Sequence, residues 1–449
     1  MSKVKKFLRR SITKLPGEGR LIIDAYRHSV LLKRKASARL RSTSDDSLPD
    51  PKTLYWIDPA RIVLHTNRAR ATSDVPAKDR VFDLQRDKGT VQAGDWDISD
   101  YKFADLDVAR AITQRVREGV EWSKTDFYAR QLRELREKGT AGWNIGSQAE
   151  LDARMNYLDQ LIASMREKGF MLNHSVELAG ERKGVDGDPE YGSEITVNIG
   201  RDGQYLFQDG RHRLAIAKVL GISRVPVRVL VRHRQWAEFR RFMQELAGAG
   251  GASSHANLYQ SPMHPDLQDI PHAHACEDRF EAMSKWIGPG QGAALLDIGC
   301  NLGYFCHRFE DLGYSCFAVE YLAQVAEAAD RIRISEGRRF KVISQDLFVA
   351  AERPPLKGTH FSVVLGLNIF HHFIKTPQLF EKFSNWLGTL DADVMFFEPH
   401  CPDEPQMKGS YRNFDEQQFV DFILEKSVLK RSELIHRCDD GRPIYKLSR

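Results

Sequence analysis

A chain of 449 residues exceeds what one ordinary core accommodates, so two or more domains are expected. With 42% hydrophobic and 28% charged residues it has the composition of a soluble globular protein, and no run approaches the roughly 20 apolar residues that span a bilayer. The net charge of +5 is uneven: residues 1–44 hold 13 Lys or Arg against Glu18 and Asp24, a local +11 that leaves −6 for the rest. All six cysteines lie from Cys276 onward and none forms a C-x-x-C pair. That usage, with no secretory h-region and cleavage site near Met1, predicts a reduced, cytoplasmic setting.

Residues 1–51 read as a basic amphipathic arm and linker. Val4, Phe7, Leu8, Ile12 and Leu15 fall on one helical face, ringed by Lys3, Lys5, Lys6, Arg9, Arg10 and Lys14. One reading is peripheral contact of residues 1–44 with the inner face of the cell membrane, each basic residue adding about 1 kcal/mol near anionic lipid. The other is a solvated tail or a helix packed on the body. Nucleic acid is not the expected partner.

A first domain is expected over residues 52–247, an α+β unit. Residues 150–168 carry a helical pattern, with Leu151, Met155, Leu158, Leu161, Ile162 and Met165 on one side and Gly169 as the stop. Glu194–Ile199 and Gln204–Gln208 alternate as strands around the turn Arg201-Asp202-Gly203. Asp209-Gly210-Arg211-His212-Arg213 then opens a helix that Gly221 closes, and Val225–Val231 is the next strand. Glycine allows close backbone approach, arginine offers a guanidinium fork, and a helix start attracts anions, so these five residues are candidates for holding a nucleotide phosphate. The alternative is that Arg213 pairs with a carboxylate and His212 fills a gap.

This order of elements, with Gly210-x-x-Arg213 and then Gly221-x-x-x-Val225-Pro226-Val227, resembles the ParB/sulfiredoxin-like superfamily. The resemblance implies a nucleoside triphosphate, with Mg2+, cradled by the Gly-x-x-Arg element. The sulfiredoxin cysteine is absent, as are the second arginine box and the helix-turn-helix domain of the partition proteins. Chromosome partition is therefore not expected.

The Gly/Ala/Ser stretch from Ala247 to Ser254 breaks the pattern, and residues 248–275 are expected as a linker or lid. His264, His272, His274 and Cys276 have irregular, Pro/Ala-rich spacing, so a loop near an active-site mouth is expected there and no metal site.

Over residues 276–449 strands and helices alternate. Ala294–Ile298 is a strand that ends at an acid and turns through Gly299-Cys300-Asn301-Leu302-Gly303 into a helix near 304–312. A strand to Glu320, a helix near 323–334, a strand 340–343, Gln345-Asp346-Leu347, a strand 361–365, a helix 377–387, a strand 394–397 and two more strand-like runs follow. Such alternation implies a doubly wound sheet with ligand at the C-terminal strand ends. The helix start is expected to present free N–H groups to that ligand.

The constellation Asp297, Gly299, Gly303, Glu320 and Asp346 resembles class I S-adenosylmethionine-dependent methyltransferases. The resemblance implies a Rossmann-like fold. Asp297, Gly299, Cys300, Asn301 and Gly303 would lie against the methionine and ribose portion, Glu320 on the ribose hydroxyls, and Asp346 with Leu347 at the adenine. Asn301 stands where the family's central glycine is usual. Gly366 to Phe373 and Glu398 follow the next two strands on the rim that faces the methyl group. This makes Asn368, His371, His372 and Glu398 the acceptor-facing, catalytic candidates; structural packing is the competing reading for both histidines.

Leu296-Asp297-Ile298-Gly299-Cys300-x-x-Gly303-Tyr304-Phe305, Gly366-Leu367-x-Ile369-Phe370-His371-His372 and Arg442-Pro443-Ile444-Tyr445-x-Leu447-Ser448 resemble the methyltransferase half of the kinase–methyltransferases that cap O-antigen polysaccharide. The resemblance implies O-methylation of a sugar, glycan end or sugar phosphate in surface polysaccharide biosynthesis. The chain has no H-R-D or D-F-G kinase motif. Two other readings stand beside this one: a bifunctional kinase–methyltransferase whose first domain transfers phosphate, and a nucleotide-gated module that docks a methyltransferase on a partner or membrane.

Overall fold

The structure, a computed structural model, describes residues 48–66, 82–84, 86–172, 194–248 and 257–449. The basic arm 1–44 lies outside them, as does nearly all of the Gly/Ala/Ser stretch. No helix among the described residues is long and apolar enough to cross a membrane. The chain divides into two compact units; the second takes Gln235–Arg449 with the short pieces Tyr55–Ile57 and Ile199–Tyr205, and the first takes the remainder. The helix Arg234–Gly248 thus falls almost wholly in the second unit.

The N-terminal sheet contains β1 (Leu54–Ile57), β2 (Leu64–His65), β3 (Thr90–Gln92), β4 (Ile195–Ile199), β5 (Tyr205–Asp209) and β6 (Val225–His233). Its order is β1-β6-β4-β5-β2, with β3 paired to β6. The central strand β4 forms because Ile195, Val197 and Ile199 are β-branched and fully buried. Its one buried polar side chain, Asn198, is satisfied: Nδ2 donates to Gln208 Oε1 at 3.0 Å, and Oδ1 accepts from Val231 N–H at 3.1 Å. The helix read over 150–168 runs Gln148–Lys168 and buries all six expected side chains, with the Ser147 hydroxyl accepting from Glu150 N–H as its N-cap.

The C-terminal unit is built on β9 (Ala294–Ile298), β10 (Ser315–Glu320), β11 (Lys341–Ser344), β12 (Phe361–Leu367), β13 (Ala392–Glu398), β14 (Arg431–Arg437) and β15 (Pro443–Ser448). They form one sheet in the order β11-β10-β9-β12-β13-β15-β14. The first five strands are parallel, and β15 runs antiparallel between β13 and β14. Helices cover both faces over two apolar clusters, which is why these strands read as near-continuous hydrophobic runs. The chain leaves β9 toward β10 on one side and later returns to β12 on the other. That reversal opens a crevice at the C-terminal strand ends. A parallel pair, β7 (Leu258–Gln260) and β8 (His272–His274), occupies the stretch read as linker. Its histidines and prolines carry no period from which a strand could be read.

Candidate active site

The turn after β9 is shaped by backbone conformations that side chains resist. Gly299 has φ +69°, and a Cβ there would lie 2.7 Å from the Ile369 side chain. The N–H groups of Gly299 and Cys300 both donate to Val319 O, at 2.9 and 3.0 Å. Asn301, where the family's glycine is usual, also has positive φ, at 51°; asparagine tolerates this region better than most residues. Glu320 holds the turn: Oε2 accepts from Asn301 N–H at 3.0 Å and Oε1 from Leu322 N–H at 2.9 Å. Burial raises its pKa, and these N–H bonds act against that rise. The Tyr321 N–H acts on the same carboxylate, and with about four lone-pair sites the group keeps acceptor capacity for a ligand's hydroxyl.

Asp297 is buried and its pKa is pushed up to about 7, chiefly by desolvation; the Cys306 thiol, 3.6 Å from Oδ2, acts against that rise and the Glu320 charge adds to it. Asp346 caps the helix Leu347–Ala351, its Oδ1 accepting from Phe348 and Val349 N–H at 2.9 and 3.3 Å. Leu347 and Cys300 have buried side chains inside the two apolar clusters, so what they offer a ligand is backbone. The helix start differs from expectation. Tyr304 N–H is already held, donating to Gln260 Oε1 of β7 at 3.2 Å.

A small cavity of about 20 Å3 lies at the crevice. Asp297, Ile298 and Gly299 form one side; Glu398 and Leu367 form another; Tyr259, Gln260, His274, Cys276 and Arg279 contribute a third. Of the predicted residues it is therefore lined by Asp297, Gly299 and Glu398. Asn301 and Glu320 join it through the turn. Asn368 joins it through Tyr259, its Nδ2 donating to the phenol oxygen at 3.2 Å, while its backbone N–H bonds Glu398 O at 2.9 Å.

The histidine that lines the cavity is His274, which the sequence reading left in a loop. Its ring lies 4.6 Å from that of Tyr259, and burial, then the nearby Arg279 charge, lowers its pKa. The His371 and His372 rings lie 4.0 Å apart, tilted by 38°, and do not line the cavity. Burial lowers His371 to about 2, so it is neutral at neutral pH; His372 is exposed, and desolvation with the Lys375 charge lowers it as well.

Glu398 faces a guanidinium. Arg279 Nε and Nη2 grip its two oxygens at 2.9 and 3.2 Å, and Arg279 Nη2 also reaches Asp440 Oδ2 at 2.8 Å. Burial disfavours the Arg279 cation, and the Glu398 carboxylate more than offsets that, so its pKa rises. Arg442 stands 3.7 Å from the same carboxylate and 3.0 Å from Glu404. From sequence Tyr259 and Gln260 are expected only as part of a linker or lid, and no motif marks Arg279 or Asp440. Arg442 was visible only as part of the late Arg-Pro-Ile-Tyr run.

In the N-terminal unit the chain itself engages Asp209, Gly210 and Arg213 of the five candidate residues, and the His212 ring packs inside it. Gly210 has φ +89°, and a Cβ there would meet Ile195 Cα at 2.9 Å, so close packing on β4 already requires glycine. Asp209 Oδ1 accepts from Gly210 N–H at 2.8 Å. Arg213 Nη1 donates to Glu194 at 2.9 Å, Nη2 donates to the Met171 carbonyl, and Cζ lies 4.0 Å from the Phe170 ring centre. His212, directly after Arg211, is buried against Trp143, and desolvation lowers its pKa well below the usual value. This is the carboxylate-paired, gap-filling arrangement weighed above. Likewise His264 is committed to structure: Nε2 lies 3.0 Å from Gly203 O, and Nδ1 accepts from Asp266 N–H.

Residues 269–430 match the family model described as a methyltransferase domain. No curated protein matches the chain. Among solved structures, the bifunctional kinase–methyltransferase WbdD is 18% identical over 43% of this chain and 44% of its own, with a TM-score of 0.34. A SAM-dependent methyltransferase from Aquifex aeolicus is 15% identical over 38% and 89%, with a TM-score of 0.29. The PH0226 protein of Pyrococcus horikoshii is 14% identical over 38% and 88%, with a TM-score of 0.28. The chain spans less than half the length of the kinase–methyltransferase it matches. The methyltransferase-domain match over residues 269–430 thus falls on the five parallel strands of the doubly wound sheet.

Proposed function

We propose that this domain binds S-adenosylmethionine in the crevice beside β9 and methylates an oxygen of a sugar, glycan end or sugar phosphate. The observation that carries the reading is the Gly299 turn bonded to Glu320 at the edge of the cavity. The residues fit that cofactor: the turn has no room for a Cβ at Gly299, and the buried Asn301 and Asn368 side-chain oxygens have no hydrogen-bond partner among the described residues. When bound, S-adenosylmethionine supplies an electrophilic methyl on a sulfonium. Glu320 would accept from ribose hydroxyls, the backbone of Gly299 to Gly303 would lie against the ligand, and Asp346 would border its base.

The chain's own work on the acceptor is alignment and proton removal. His274 is placed for the second task, being neutral at neutral pH, in the cavity wall, with Nδ1 4.0 Å from Asp440. Tyr259 and Asn368 would orient the acceptor. The sugar class rests on the motifs shared with glycan-capping enzymes, most of all Arg442 to Ser448. Calorimetry with S-adenosylmethionine tests the cofactor, and no saturable binding would end the proposal. For His274→Gln, turnover falls at least tenfold while cofactor affinity holds; unchanged turnover removes His274 from the reaction.

A further inference from the structure

We propose that Asp278, His436 and Cys438 form a zinc site that ties the β14–β15 hairpin to the helix Glu277–Ser284. A carboxylate oxygen, a ring nitrogen and the thiol sulfur of these residues all lie within 4.8 Å of one another. The local structure explains the convergence. His436 lies in the last pleat of β14 and Cys438 directly follows the strand's end at Arg437, two positions on, a spacing that in extended backbone returns to the same face. The ladder between β14 and β15 shifts register between Leu434 and His436, a bulge of the kind that re-aims a side chain. Cys438 is fixed by its N–H to Arg442 O at 2.8 Å, which closes the hairpin. Asp278 comes from the first turn of the helix beneath.

Two further observations point to a cation. The His436 Nε2 is buried with no hydrogen-bond partner among the described residues. The ion pairs around Arg279 and Arg442 set four carboxylates, Asp278, Glu398, Glu404 and Asp440, against those two guanidiniums. That leaves two negative charges, and a thiolate at Cys438 adds a third on binding, so one divalent cation offsets two of the three. A mixed sulfur, nitrogen and oxygen set suits Zn2+, and three protein ligands leave a fourth position for water. The neighbour of Asp278 is Arg279, whose fork holds Glu398 in the cavity wall. The metal is therefore a positioning device one residue removed from the active site, and its binding stands independently of the cofactor reading.

The test uses the full chain, stripped with chelator, desalted and titrated with ZnCl2 by calorimetry, with retained metal counted by mass spectrometry. One zinc per chain is expected, with Co2+ substitution giving a thiolate charge-transfer band in the near ultraviolet. Cys438→Ser should lose that band, and both it and His436→Gln should weaken zinc at least tenfold. His436 is half-buried, so that variant keeps the fold, checked by melting. Less than a tenth of an equivalent retained by the wild-type chain, or zinc held undiminished by both variants, overturns the site. S-adenosylmethionine binding, read on the same samples, reports on the other proposal separately.

Discussion

Two strand–glycine–helix turns in this molecule, at Gly210 and at Gly299, share local chemistry and differ in what surrounds them. Around Gly210 the charges are matched inside the chain: Arg213 is held by Glu194, and Asp209 bonds the glycine N–H. Around Gly299 the acceptors outnumber their partners. Asp297 is buried with its pKa near 7, Asn301 Oδ1 has no partner among the described residues, and a cavity lies alongside. A glycine turn alone therefore says little. What distinguishes the second is a cavity beside buried oxygens unpaired among the described residues, whereas the likewise unpaired His212 Nε2 of the first turn belongs to a ring packed against Trp143.

The largest expected effect tests that excess directly. Asp297 is raised from 3.8 to about 7, so between those values the unfolded chain ionises it while the folded chain keeps it protonated. The folded state then binds more protons, and stability falls as pH rises through that window, by up to about 4 kcal/mol for a shift of this size. Asp297→Asn should remove that slope and gain relative to wild type from pH 5 to pH 8. Parallel denaturation curves at the two pH values would contradict the account.

Glu398→Ala leaves Arg279 buried with only Asp278 and Asp440 against it. A loss of about 3 kcal/mol is expected from urea unfolding, the low end for breaking a buried pair. Next, Glu320→Ala should weaken S-adenosylmethionine by roughly 10–100-fold, the worth of one or two hydrogen bonds to a charged acceptor; unchanged affinity counts against the pocket. The smallest effect belongs to the other turn. Gly210→Ala should cost about 1–2 kcal/mol through its positive φ alone, with more from contact with β4. Arg213→Ala separates the two readings of that motif. A structural role predicts lower stability with no nucleotide dependence, whereas a phosphate site predicts lost ATP or CTP binding at full stability.

Much of the C-terminal sheet was legible because its strands are buried on both faces, so β9, β10, β12 and β13 announce themselves as apolar runs. Their ends carry the acids, and Asp297 and Glu320 could be placed from spacing. Bonds between distant segments could not be. Gln260 to Tyr304, Tyr259 to Asn368 and Arg279 to Glu398 join residues 44, 109 and 119 positions apart with no shared period. His371-His372 misled for the opposite reason: an adjacent pair looks reactive on paper, yet the short helix Phe370–Ile374 turns His371 into the interior. In the N-terminal unit Gly210-x-x-Arg213 was equally conspicuous. Only coordinates reveal that Glu194, nineteen positions upstream, already occupies the arginine.

The Gln260 contact with Tyr304 N–H bears on kinetics. A ligand that claims this amide must first evict a side chain carried by β7. Entry would then follow the opening frequency of that strand rather than diffusion, and association would saturate at high ligand concentration.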